Sequence, residues 1–325
     1  EAVGRVRAGG KKVYAQLESA MGSQYLLATA CDEIVMPESG VILIPGVRVE
    51  AGFYKELLDK LGIEADMIHM GEAKGAAEPF TRTEFSEPVR ENLTAMIDDL
   101  YDQLITRIAT NRNLRVEEVR TQVDRGLLTA DQAKAAGLID EVAYPDAVRE
   151  RLSTEYDADR LVYVMNYAKK KVDTDFSGPM GFMKLFNLML GGGDGSSSKK
   201  DKIAIVYAVG PIMSGKSEDN PFAGQLMGSD TIVKALKEAD EDERVKGIVL
   251  RVNSPGGSAL ASDLIWRATQ IIDKPIVASM GDVAASGGYF ISMGADKIFA
   301  EPGTITGSIG VVGGKFNMHG LYDNN

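Results

Sequence analysis

The chain has 325 residues, 44% of them hydrophobic and 26% charged, an ordinary globular composition whose length favours two domains over one. Its 36 basic and 47 acidic residues leave a net charge of -11, which argues against a nucleic-acid partner; the one basic run, Lys169 to Lys171, reads as a solvated face. The single cysteine, Cys31, reads as a small core residue, no segment approaches the roughly 18 apolar residues of a membrane span, and the first residues lack the apolar region of a signal peptide.

In chain order, a short helix precedes a strand at 12–17 (KVYAQL), a helix at 24–30, a strand at 33–36 (EIVM) and the apolar run VILIPGV at 41–47. GFYKELLDKLG reads as an amphipathic helix and IEADMIHM as a strand. From Ser86 to Asn111 a long helical pattern carries an apolar stripe that includes Leu93, Met96, Leu100, Leu104 and Ile108. Val116 to Val142 reads as one or two short helices, with Gly137 as a C-cap. Between about Tyr156 and Lys200 the composition changes. GGGDGSSSKK there is a linker or loop, and residues 179–193 concentrate Met, Phe and Leu between glycines. That stretch reads as a short helix packed on a neighbouring domain or subunit, or as an apolar flap facing membrane or substrate.

Beyond it, KIAIVYA (202–208) suits a buried parallel strand, followed by a loop to Gly228. Ser229 or Asp230 can cap a helix to about Asp240. A strand at 247–252, the turn NSPGG, a helix from about Ala259 to Ile272 and the strand PIVASM follow. A helix then starts at or near Ser286, and KIFAEPGTITGSIGVV reads as a pair of short strands with a turn. Strands and helices alternating at this pitch predict an α/β fold with parallel strands.

The chain also repeats itself. Tyr289 follows Tyr25 by 264 residues (289 − 25 = 264), and at the same spacing Val13 meets Val277, Ala20 meets Ala284, Asp32 meets Asp296 and Gly46 meets Gly310. A repeat of that length predicts a duplicated unit, with one domain at 1–155, a connecting segment at 156–201 and a second domain at 202–325. At this spacing both chain ends fall inside a unit, so the expectation is a chain without the start of the first copy or the end of the second. Ser286 falls opposite Gly22. A copy that keeps the scaffold without the serine gives the serine in the other copy a role.

That role is nucleophilic. Ser286 lies between a strand and a helix, just before Gly287 and Gly288, so its hydroxyl can project from a crowded turn while the Gly287 N–H offers an oxyanion donor. A helix N-cap is the structural alternative for the same serine. Ser254 to Gly257 likewise joins a buried strand to a helix, and Gly256 or Gly257 lets a substrate carbonyl approach the backbone. A serine nucleophile needs a base. Neither histidine, His69 or His319, has a carboxylate pattern that makes a triad. Lys74, among small residues in GEAKGAAEPF, can serve if desolvation lowers its pKa, although from context alone it reads as a surface lysine.

Four motifs in order, GEAKGAAEPF, NSPGG, MGDVAASGGY and TGSIGV, together with GLLTADQAKAAGLIDEV, resemble the long, tandem-domain form of the signal peptide peptidase A (protease IV) family. The resemblance covers nearly all of the chain. It implies two tandem domains similar to crotonase and to the Clp proteolytic subunit, and a Ser-Lys dyad in which Ser286 is the nucleophile and Lys74 the general base. Ser308, of TGSIG, would hold the lysine amine. It also implies no metal or other cofactor, and substrates that are apolar remnants of cleaved signal peptides. The enzyme would be a homo-oligomer, a tetramer, tied to the membrane by an anchor outside this chain and with its sites outside the cytoplasm. Acyl-CoA chemistry on the same scaffold is a competing reading, to which the Ser and Gly turns and the acidic charge are unsuited. A non-catalytic scaffold is another.

Overall fold

The computed structural model of the chain describes residues 1–157, 200–220 and 224–323. Lys169 to Lys171, the apolar stretch at 179–193 and the Gly/Ser run lie outside the described residues. Two compact units are present, one comprising Glu1–Ala20, Cys31–Ile42 and Thr129–Lys200, the other Met21–Ala30, Leu43–Leu128 and Asp201–Asn325. Among the described residues no helix is long and apolar enough to cross a membrane.

The first unit contains a parallel sheet of three short strands, Tyr14–Gln16, Glu33–Met36 and Glu141–Val142, with helices at Ala2–Ala8, Ala130–Ala135 and Pro145–Glu155. Ile34, Val35 and Met36 are buried with Ala130, Ala133, Leu138 and Val148. The helix Ala130–Ala135 starts with a capping box between Thr129 and Gln132. It ends where Gly137 takes φ 72° and Leu138 N–H reaches the Ala133 carbonyl at 2.8 Å, so the C-cap expected at Gly137 is present. Arg151 ties the unit together through ion pairs to Glu33 (2.5 Å), Glu141 (3.1 Å) and Glu155 (3.7 Å).

The second unit is built on a parallel sheet in the order Lys297–Phe299, Ile276–Ala285, Val245–Ser254, Lys202–Val209. Helices Ser229–Glu241, Ala259–Gln270 and Gly287–Ser292 connect successive strands, as parallel neighbours require. The core between sheet and helices holds Ile248, Leu250, Val252, Met280, Leu236, Ile265 and Ile291, all at most 3% exposed. Mixed α/β architecture with parallel strands is therefore what the alternation predicted.

Three local expectations change. No side chain caps the helix Ser229–Glu241; it starts directly from the strand Gly224–Gly228, and this enclosure leaves Ser229 Oγ buried with no partner among the described residues. The strand expected to end at Met280 runs on to Ala285: Gly281 and Asp282 interrupt the apolar pattern, and the pairing shifts register there and resumes at Ser254↔Ala284. KIAIVYA, expected as a buried strand, lies at the end of the sheet order with Ile203, Ile205 and Tyr207 exposed, because among the described residues no strand or helix covers that face. The expected pair of short strands with a turn is present: Lys297–Phe299 and Ile305–Gly307 both lie parallel to Ile276–Ala285, the turn at 301–304 carrying the chain onward along the same edge. A further strand, Val312–Asn317, pairs antiparallel with Glu64–His69.

Two aspartates 264 residues apart make the same hydrogen-bonded pair. Asp32 N–H donates to the Val13 carbonyl (2.8 Å) while its Oδ2 accepts the Val13 N–H (2.9 Å). Asp296 makes the same reciprocal pair with Ile276, at 2.9 and 2.8 Å. The aspartates keep the spacing of 264, but their partners are 263 apart (276 − 13 = 263), so the strand register slips by one residue relative to a gapless alignment.

Candidate active site

Two strands of the second unit converge on one turn. Val245–Ser254 and Ile276–Ala285 pair residue by residue from Ile248↔Ile276 to Val252↔Met280, then shift register before Ser254↔Ala284. Asn253 Oδ1 covers the irregularity by accepting the Val283 N–H at 3.0 Å. Such irregularities re-aim a strand end, and here the two strands deliver Ser254–Gly257 and Ser286 side by side. A Cβ on Gly256 would lie 2.7 Å from Gly287 N and 2.8 Å from Ser286 Cβ, so the approach of the turns depends on that glycine.

Ser286 takes φ 53°, ψ −117°, and its side chain makes no cap hydrogen bond. The N-cap alternative is thereby set aside: the hydroxyl is not occupied by the helix it precedes. A β-carbon-bearing residue in this region carries strain of about 1–3 kcal/mol that its surroundings must hold in place. The surroundings are the Ser286 N–H bonded to the Gly307 carbonyl (2.8 Å) and the Phe290 N–H bonded to the Ser286 carbonyl (2.9 Å). Gly22, its sequence counterpart, has no positive φ. The strained turn is found at Ser286 and not at Gly22.

Lys74 arrives by a different route. The antiparallel pair Glu64–His69 and Val312–Asn317 ends at His69↔Val312, extended by the Met70 N–H to the Val311 carbonyl at 2.9 Å. A few residues beyond that end on one side is Lys74, and a few before it on the other is Ser308. The segment leading to Ser308 is laced to Ile276–Ala285 by the hydroxyls of Thr304 and Thr306, which donate to the carbonyls of Gly281 (2.8 Å) and Ala284 (2.9 Å). Lys74 Nζ donates to Ser286 Oγ at 3.1 Å, Ser308 Oγ at 2.9 Å and the Ser308 carbonyl at 2.5 Å. Burial holds the Lys74 pKa below its ordinary value; no carboxylate of a described residue pairs with it to reverse the shift. Ser308, at φ 50°, is a second strained serine.

The glycines expected as oxyanion donors differ in what their N–H groups do. Gly256 is buried and donates to Ser254 Oγ at 3.1 Å. Gly257 is exposed, and its N–H and that of Gly287, at the first turn of its helix, find no acceptor among the described residues. Both glycines line a cavity of about 830 Å³ with Ser286, Lys74, Ser308 and the side chains of Tyr289, Phe290, Met293, Val311 and Val312. Neither His69 nor His319 lines it. Two parts of the site were not read in the sequence. The role of Ser254 is hidden because a serine before Pro-Gly-Gly looks like any turn serine, and the strand pairing that brings Lys74 to Ser308 has no local signature.

An α/β scaffold that presents a serine on a strained strand-to-helix turn to the amine of a half-buried lysine is of the kind found among serine hydrolases that take lysine as base. Comparison with family models narrows the class. Residues 5–159 and 268–325 match Peptidase family S49, and the chain belongs to that family. It is 34% identical over 308 residues to "Serine protease SPPA, chloroplastic" of Arabidopsis thaliana, covering 92% of this chain and 42% of that protein. It is 31% identical to "Protease 4" of Haemophilus influenzae, over 99% of this chain and 51% of that one, and 34% identical to "Protease 4" of Salmonella typhi, over 96% and 49%. The chain spans about half the length of these relatives.

Proposed function

We propose that the protein is a serine endopeptidase working through a Ser286–Lys74 dyad. The observation that carries this reading is the 3.1 Å approach of Lys74 Nζ to a Ser286 hydroxyl that no cap occupies. A neutral amine has two N–H bonds and one lone pair, which matches three neighbours: Ser308 Oγ and its carbonyl take the donors, and the Ser286 hydroxyl donates to the lone pair. As Oγ attacks a peptide carbonyl, Lys74 takes the serine proton. The N–H groups of Gly257 and Gly287 hold the oxyanion of the tetrahedral intermediate. Lys74 then gives its proton to the leaving nitrogen as the C–N bond breaks, and water, deprotonated by the same amine, releases the acyl group from Ser286.

The finer architecture is a tandem sequence duplication similar to crotonase and the Clp proteolytic subunit, residues 1–155 supplying the lysine and residues 202–325 the serine, both of which lie in the second compact unit. The Asp32 and Asp296 clasps support this duplication. The name of one relative, "Putative signal peptide peptidase SppA" of Enterococcus faecium, supports signal peptides as substrates; their cleavage in or at the membrane, membrane anchorage and a homo-oligomeric state complete the proposal. The apolar side chains around the cavity of Ser286 suit such peptides.

The test uses the whole protein, a fluorophosphonate probe and an apolar fluorogenic peptide. Wild type is labelled at Ser286 and cleaves the peptide; Ser286→Ala does neither, and Lys74→Ala loses cleavage by about a thousandfold or more. Undiminished hydrolysis in both variants would overturn the dyad.

A further inference from the structure

A second cavity, of about 870 Å³, meets the first at Lys74, Gly75, Ser308 and Ile309, yet neither Ser286 nor Gly257 nor Gly287 lines it. One wall is the helix Glu87–Arg112, which presents Val89, Leu93, Met96 and Leu100; Phe85 and Ile305 complete an apolar lining. The opposite wall is the segment 302–309 that carries Ser308. Gln103 joins the walls, its Nε2 donating to Asp99 Oδ2 at 2.7 Å and to the Pro302 carbonyl at 3.1 Å. All of these residues belong to the second unit.

The chemistry of amide cleavage assigns the two cavities different halves of a substrate. The acyl half must place its carbonyl oxygen on the oxyanion donors, and those donors line only the first cavity. The leaving half must place its nitrogen against the group that protonates it, Lys74 Nζ, and the chain continues away from the oxyanion donors. The second cavity is lined by Lys74, at the boundary it shares with the first, and by none of the oxyanion donors.

We propose that this cavity is the subsite for the leaving half of the substrate and takes an apolar side chain from the residue immediately after the scissile bond. The proposal rests on the dyad reading above. Met96, half-buried between Leu93 and Leu100 on successive turns of one helix face, sets the depth of the subsite. Apolar pockets discriminate by how well they are filled, by about tenfold or more for a side chain that no longer fits.

The experiment measures kcat/KM of the whole protein on two peptide series, one varying the residue after the scissile bond and one varying the residue before it. Wild type prefers Leu or Phe over Ala and Asp after the bond. Met96→Trp, which fills the cavity, lowers the Phe-to-Ala ratio at that position by about tenfold, and Met96→Ala raises it; the ratios for the residue before the bond stay constant in both. An unmoved ratio after the bond in both variants, or a change only in the ratio before it, overturns the assignment. A wild-type protein that neither cleaves any peptide nor reacts with a fluorophosphonate instead defeats the dyad reading, so the two failures are distinct.

Discussion

Lys74 Nζ and Ser286 Oγ stand 3.1 Å apart across 212 residues of sequence. Lys74 is bonded on its other side to both the hydroxyl and the carbonyl of Ser308. The amine has uncharged oxygen partners, two hydroxyls and a carbonyl, while burial disfavours its charge, so its protonation state governs the chemistry.

The first prediction follows from that charge. Burial lowers the Lys74 pKa from 10.5, and the neutral amine is the reactive form, so kcat/KM rises with pH through the lowered pKa and falls away below it. The unfolded chain binds this proton more tightly, so stability gains with pH in the window between the lowered value and 10.5. A pH profile of kcat/KM checks the limb; a flat profile, or one rising only at or above 10.5, contradicts it.

Ser308→Ala removes one of the acceptors that steady the ammonium while leaving the carbonyl in place. The expected result is a fall in kcat of roughly tenfold to a hundredfold, smaller than the loss on removing Lys74, together with a shift of the pH limb to lower pH, since the charged amine has lost a partner. A purely structural role for Ser308 would lower stability and leave the limb where it was.

Backbone strain at Ser286 gives an inverted order of stability. Glycine normally costs stability relative to alanine through its unfolded-state entropy, but at φ 53° a Cβ is what strains the turn. Ser286→Gly should therefore be more stable than Ser286→Ala by about 1 kcal/mol, with both inactive. Denaturant midpoints of the two variants decide it, and the ordinary order would show that the turn is unstrained.

Gly257→Ala tests the turn opposite. Gly257 has φ 152°, and a Cβ there would lie 2.1 Å from the Ile212 carbonyl oxygen, so the backbone must move. A destabilisation of at least about 2 kcal/mol is expected, with slower fluorophosphonate labelling of Ser286; a variant that kept both wild-type stability and labelling rate would show that the turn is not held to this geometry.

In the first unit, Arg151→Ala removes a cation shared by Glu33, Glu141 and Glu155. The side chain is 34% exposed, so the cost should be modest, about 1 kcal/mol, and should shrink as salt is added. Unfolding at low and high ionic strength measures it. No dependence on salt would mean that packing of the Arg151 stem supplies the stability instead.

Much of this molecule is legible locally. GIVLRV is a buried strand because a β-branched apolar run suits a sheet covered by helices, and it stands where the pattern put it; KIAIVYA forms the expected strand, but at the end of the sheet order and with Ile203, Ile205 and Tyr207 exposed. Chain-end signals were weaker: Ser229 looked like a cap and is an enclosed serine with no partner among the described residues, since capping depends on how the chain enters the helix. The two short strands around the turn at 301–304 are legible in the sequence, but not the parallel edge along which both of them pair, because pairing is chosen by neighbouring strands that a local window does not contain.

Ser286 itself came from sequence, through the contrast with Gly22 and the paired glycines after it. That contrast pointed to a role for the hydroxyl, because a repeat is read from residue order at any distance, and periodicity of strand and helix supplied the α/β scaffold, because it is written in residues close along the chain. Only the tertiary structure decided how the lysine meets the serine. The pairing of Glu64–His69 with Val312–Asn317, and the strand Ile305–Gly307 laid along Ile276–Ala285, carry Lys74 and Ser308 to Ser286. The positive φ of both serines is equally non-local: Ser286 N–H is held by the Gly307 carbonyl and Ser308 by the amine of Lys74, each from a segment distant in sequence and against the intrinsic preference of the residue.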